Sequence, residues 1–133
     1  MIPLDLAARL RDAGLDWKPS PGDRFAIPDR GLDDDVFVIS HMTIEVHDLP
    51  EGQVIGFNGT TQWALDDLDK EEAVWLPRED QLRDLLGPAF ERLDRAGDRY
   101  RVLAEFGGTL REYLGGTAEE AYGLALLSLV SGA

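Results

Sequence analysis

The residues best suited to chemistry fall in one short stretch. Asp33, Asp34 and Asp35 precede His41, Glu45, His47 and Asp48, and both histidines of the 133-residue chain lie here. Imidazole and carboxylate together form the donor set of Zn²⁺, Mn²⁺ or Fe²⁺ sites. Residues 43–47 alternate in polarity, which places Thr43, Glu45 and His47 on one strand face. His41 joins that face if the strand runs back without a bulge. His41, Glu45 and His47 are therefore the candidate metal ligands of a metal-dependent or small-ligand enzyme. The same alternation also describes the solvated side of a half-buried strand.

Other chemistries find little support. The chain has no cysteine, which excludes disulfides, thiolate catalysis and cysteine-ligated metals. No G-x-x-x-x-G-K-[ST] loop or G-x-G-x-x-G fingerprint occurs, and neither lysine follows a glycine. The Gly107-Gly108 and Gly115-Gly116 pairs read as turns. No G-x-S-x-G elbow is present. Ser40 adjoins His41, but neighbouring strand residues point to opposite faces. A non-enzyme with no cofactor is the favoured expectation.

The chain carries 26 acidic and 13 basic residues, a net charge of −13. Such a body repels phosphate backbones, so nucleic-acid binding is not expected. Solubility is the plain reading of this charge. Mimicry of DNA to inhibit a basic protein is a sharper one, although the acids are spread along the sequence. The start, Met1-Ile-Pro-Leu-Asp, lacks the basic region of a signal peptide. The apolar stretch over residues 121–130 is too short to span a bilayer. A cytoplasmic location without membrane contact is expected.

The elements that must position these residues follow from pattern. Residues 4–13 read as a helix, with Pro3 in its first turn and Gly14 as its cap. Residues 24–28 read as an edge strand because Pro28 cannot donate to a ladder. Residues 29–35 read as an acidic loop, and residues 36–40, apolar on both faces, as a central strand. Leu49-Pro50-Glu51-Gly52 is a turn signal between residues 43–47 and a returning strand at 53–57. Residues 61–68 read as a short helix and 73–76 as a strand stopped by Pro77.

Leu82, Leu85, Leu86, Ala89, Phe90 and Leu93 follow helical spacing, which predicts a helix over 79–95 kinked at Gly87-Pro88. A hairpin turning at Gly107-Gly108 follows, with Arg99 and Arg101 on its outer face opposite Glu105 and Glu112. Thr117-Ala-Glu-Glu120 is a capping box that opens the last helix. The expectation is one compact α+β domain over 1–133. It would have three main helices and a mainly antiparallel sheet of about five to seven strands, in the order α-β(several)-α-β-β-α.

The last helix is apolar almost all round, so it is buried on more than one side. It is either central to the domain or half of a homodimer interface, with Tyr122, Leu126 and Leu129 as candidate contacts. Trp17, Trp63 and Trp75 read as core or as pocket lining. The leading reading is a small acidic module that binds an unidentified protein partner without catalysis.

Several segments carry a resemblance. They are Leu10-Arg-Asp-Ala-Gly-Leu-Asp-Trp17, Gly22-Asp-Arg-Phe25, Ala73-Val-Trp-Leu-Pro-Arg-Glu-Asp-Gln-Leu82 and Glu120-Ala-Tyr122. Together they resemble a group of small uncharacterised proteins of high-GC Gram-positive bacteria, some labelled pilus assembly proteins. The W-L-P-x-x-x-Q-L segment is also similar to one in short phage-related proteins. The resemblance implies no activity or site residue, and the P-loop of pilus ATPases is absent. Arg78 stands where Ser or Thr would cap the next helix, so a weaker cap is expected there, with Gln81 still in place.

Overall fold

The computed structural model describes residues 1–28, 32–39, 45–49, 52–56, 67–69 and 73–132. In chain order the described elements are α1 (Leu4–Asp12), β1 (Arg24–Ile27), β2 (Leu32–Val38), β3 (Glu45–Leu49), β4 (Gly52–Gly56), β5 (Asp67–Asp69) and β6 (Val74–Trp75). There follow α2 (Glu79–Leu86), a 3₁₀ turn (Gly87–Ala89), β7 (Phe90–Ala96), β8 (Arg99–Phe106), β9 (Thr109–Gly115) and α3 (Ala118–Ser131). This is an α+β composition. The described strands do not join into one sheet of five to seven. They form three antiparallel sheets of three strands, ordered β2-β1-β6, β3-β4-β5 and β7-β8-β9. Two compact units result: Met1–Asp16 with Leu76–Ala133, and Trp17–Trp75.

In the Trp17–Trp75 unit, β1 is a central strand, not an edge, because it pairs with both β2 and β6. Pro28 lies one residue past β1, so its missing N–H costs no ladder bond. Strand β2 takes in Asp33, Asp34 and Asp35, which the sequence places in a loop, and it is the sheet's edge. The exposure of Val36 (42%) and Val38 (62%) fits that position. Phe37, Phe25 and Trp75 form one cross-strand row. Trp17 stacks on Trp75 with ring centroids 6.2 Å apart.

A buried carboxylate anchors that stack. Asp23 Oδ2 accepts from Trp17 Nε1–H at 2.9 Å and from the Ser20 backbone N–H at 3.1 Å. The backbone here also ties to Ile39, through Gly22 N–H to Ile39 O and Ile39 N–H to Asp23 O. Trp17 is thus core, and Trp75 is half-buried beside it. Trp63 lies outside the described residues. Most of the helix expected over 61–68 also lies outside them, but Leu68 belongs to β5, paired with Ile55.

In the other unit, α1 forms as its pattern requires and buries Leu6, Ala7 and Leu10. Its end is a Schellman motif: Gly14 N–H bonds Arg11 O and Leu15 N–H bonds Leu10 O, with Gly14 at φ +105°. Helix α3 crosses α1 closely at Gly123, where an added Cβ would meet Leu6 Cδ2 at 2.7 Å. The capping box of α3 forms one residue out of step. Thr117 Oγ1 accepts from Glu120 N–H at 3.1 Å, while Glu120 Oε1 accepts from Gly116 N–H at 2.7 Å. At α2 only the reciprocal half of a box is chemically available. Arginine has no acceptor, but Arg78 N–H donates to Gln81 Oε1 at 2.9 Å.

The expected helix over 79–95 ends at Leu86. Beyond the Gly87–Ala89 turn the chain is strand β7. Pro88 costs about 3 kcal/mol inside a regular helix, and a strand avoids that cost. Helical spacing persists because β7 is bulged. Phe90 pairs with Ala104 and Arg92 with Leu103, which leaves Glu91 as an extra residue. Phe90 and Leu93, three apart, therefore share one face of a strand.

Candidate interaction surface

The sheet β7-β8-β9 has two unlike faces. Strand β8 alternates: Val102 and Ala104 are fully buried, whereas Arg99 and Glu105 are exposed and Arg101 and Leu103 intermediate. The inward face also carries Phe90, whose ring lies 5.6 Å from that of Tyr122 on α3. Two turns build the meander. Gly97, at φ +69°, is in the β7–β8 turn, and Gly107 and Gly108, at +57° and +81°, form the β8–β9 turn. The second hairpin is the one the sequence predicts.

Register defines the outward face. Asp94, Arg101 and Leu114 form one row, Arg92, Leu103 and Glu112 the next, and Glu105 pairs with Leu110 beyond it. Arg101 grips Asp94 with two bonds, Nε to Oδ1 at 2.8 Å and Nη2 to Oδ2 at 2.7 Å. It also reaches Glu112 Oε2 at 3.4 Å, and Arg92 Nε reaches Asp94 Oδ2 at 3.3 Å. The Arg101 hydrogen bonds hold the Asp94 carboxyl below the usual carboxylate range, with its charge and that of Arg92 adding to the effect. Leu110 (56% exposed) and Leu114 (37%) stand open to solvent beside this ionic row.

The Arg101–Glu112 pair is legible in the sequence. Asp94, the stronger partner, was hidden because its segment reads as helix. The cue available was Gly97-Asp98, a two-residue hairpin signal.

The C-terminal candidates separate. Tyr122 and Leu126 are each 1% exposed and belong to the unit's core, whereas Leu129 is 41% exposed. Helix α3 is apolar all round because its neighbours are many: α1, α2, β8 and β9. Desolvation raises the Tyr122 hydroxyl pKa above its ordinary value, and the Glu79 carboxylate adds to the shift. Leu129 continues the stripe of Tyr122 by two turns, beyond the layer that covers it.

Among the metal candidates, Glu45 and His47 occupy alternate positions of β3, paired with Gly56 and Val54. His41 lies outside the described residues. Among the described side chains no cluster of three metal-ligand types occurs.

Charge is distributed unevenly. Residues 17–75 hold 13 acids against four basic residues, a net of −9, and the remaining residues hold 13 against nine, a net of −4. The outward sheet face is neutral, with Arg92, Arg99 and Arg101 against Asp94, Glu105 and Glu112. Among the described residues no helix is long and apolar enough to cross a membrane. No protein-family model, curated protein or solved structure matches the chain.

Proposed function

We propose that this protein is a non-catalytic interaction module whose contact surface is the outward face of β7-β8-β9. One observation carries the reading: Leu110 and Leu114 are exposed on a sheet face where Arg92, Asp94, Arg101 and Glu112 are already joined to one another. Its apolar area can be covered by a partner with those four charges still paired. The test is affinity capture from a high-GC Gram-positive extract with wild type and with the Leu110→Asp, Leu114→Asp double variant. A specific partner held by wild type and lost by the variant is expected. A partner held equally by both sinks the reading.

A second reading, a metal-dependent site, is favoured by strand register. Glu45, Gly56 and Asp67 fall in one cross-strand row, and His47, Val54 and Asp69 in the next. Asp67 and Asp69 of β5 thus share cross-strand rows with Glu45 and His47 on one sheet. Thermal unfolding with added Zn²⁺ or Mn²⁺ tests it. The midpoint should rise in wild type and stay fixed in His47→Ala and Asp69→Asn. An equal response in all three ends the idea.

A further inference from the structure

We infer that the partner of the β7-β8-β9 face is a second copy of this chain, packed face to face about a two-fold axis. The inference rests on the interaction-module reading and names its partner.

Charge selects the occupant. A basic partner would be drawn to the residue 17–75 unit, where the net of −9 resides, and not to a neutral face. A partner whose contact surface is itself acidic would set unmet carboxylates against Asp94, Glu105 and Glu112. The outward face calls for a surface that is itself neutral, with leucines set among paired charges. Its own symmetry mate supplies that surface. Leu103, Leu110 and Leu114 surround Glu112, whose charge is met by Arg101 of the same chain. Two such faces can therefore meet with their ion pairs intact.

The edge of β9 is the competing route to a dimer, and register argues against its full overlap. Among the described strands β9 is the last in its sheet and has a neighbour on one side only. Two-fold antiparallel pairing with like faces aligned brings residues of the same parity opposite one another. Full overlap of Thr109–Gly115 centres on Glu112 and sets two glutamates face to face. The shorter overlap centred on Arg111 opposes two arginines, and the one centred on Tyr113 opposes two tyrosines. Like charges directly opposite destabilise a strand pair.

The area sets the strength. Three strands of about seven residues, at about 3.3 Å per residue and about 4.8 Å apart, present a face of roughly 23 by 14 Å. This is well below the roughly 800 Å² that each partner contributes to a stable interface. The dimer is therefore weak and reversible.

Analytical ultracentrifugation of the full chain, from about 10 μM to about 1 mM, tests this. The weight-average mass of wild type should climb toward twice the monomer value. The climb should be steeper at high NaCl, because salt screens the repulsion between two acidic bodies while the contact itself is neutral. Leu110→Asp with Leu114→Asp should remain monomeric with an unchanged circular dichroism spectrum. If that variant misfolds, Leu110→Ser with Leu114→Ser replaces it.

A wild type that stays monomeric throughout overturns the inference, as does association that weakens with salt or ignores both variant pairs. A monomeric wild type that still loses a captured partner in the face variant overturns only the second-copy assignment. The module reading then stands.

Discussion

Replacing Gly115 with alanine should lower the stability of the unit it belongs to by about 3 kcal/mol, the upper part of the range for over-packed sites. The new Cβ would lie 2.6 Å from the Ala121 backbone nitrogen and 2.9 Å from Glu120 Cβ. A backbone atom in the first turn of α3 cannot step aside by changing rotamer. Relief requires that turn to move, and the Thr117 and Glu120 bonds that cap it would be strained. Removing the cap alone, by Thr117→Ala, typically costs about 1 kcal/mol. The glycine is thus worth more than the cap it faces. Gly123→Ala should be milder, since its nearest contacts are the side-chain tips of Leu6 and Ile2. Urea unfolding followed by circular dichroism reads the effect, with a melting point about 10 °C lower. A Gly115→Ala variant within about 0.5 kcal/mol of wild type would refute the steric argument.

Asp23→Ala should destabilise the Trp17–Trp75 unit by about 3 kcal/mol. It strands two donors, the Trp17 indole N–H and the Ser20 backbone N–H, and bonds to a charged acceptor are worth about 1.5–3 kcal/mol each. The two losses do not add fully, because a loosened loop lets water reach Ser20. Asp23→Asn keeps an oxygen for Trp17 and should lose clearly less. Trp17 is 5% exposed and stacked on Trp75, so freeing it should shift tryptophan emission to the red. Faster exchange at the indole N–H should accompany that shift. If Asp23→Ala unfolds at the same urea concentration as wild type, the carboxylate is not the anchor of this loop.

Much of this architecture is legible in the residues. The Schellman end of α1, the Gly107-Gly108 hairpin and the α3 cap all rest on local chemistry, which acts within a few residues. Pairing partners are not local. Nothing near Arg24 says that β1 has neighbours on both sides, and Pro28 argues for an edge until its place outside the ladder is known. The three aspartates at 33–35 read as a loop on propensity, yet pairing of Leu32 with Ile27 places them in β2. Candidate site residues fared by the same logic. Arg101 and Glu112 could be matched across a hairpin with a clear turn. Tyr122 and Leu126 could not be assigned to core or surface, because an all-apolar helix does not reveal how many elements surround it.

The segment after Pro88 misled for a different reason, and it has a consequence for how this strand can vary. Glu91 acts on β7 as an inserted base acts on a reading frame: the alternation before it and the alternation after it are out of phase. Arg92 and Asp94 reach the outward face, and Leu93 the inward one, only in the shifted frame. Loss of Glu91 itself would close the bulge, with Phe90 and Arg92 in successive ladder positions and Asp94 still opposite Arg101. A one-residue deletion is therefore tolerable at Glu91 and not over Arg92 to Asp94, where it would shift the residues beside it against β8 and exchange their faces. A chain one residue shorter at the bulge keeps the face, whereas one shorter beyond it loses the face.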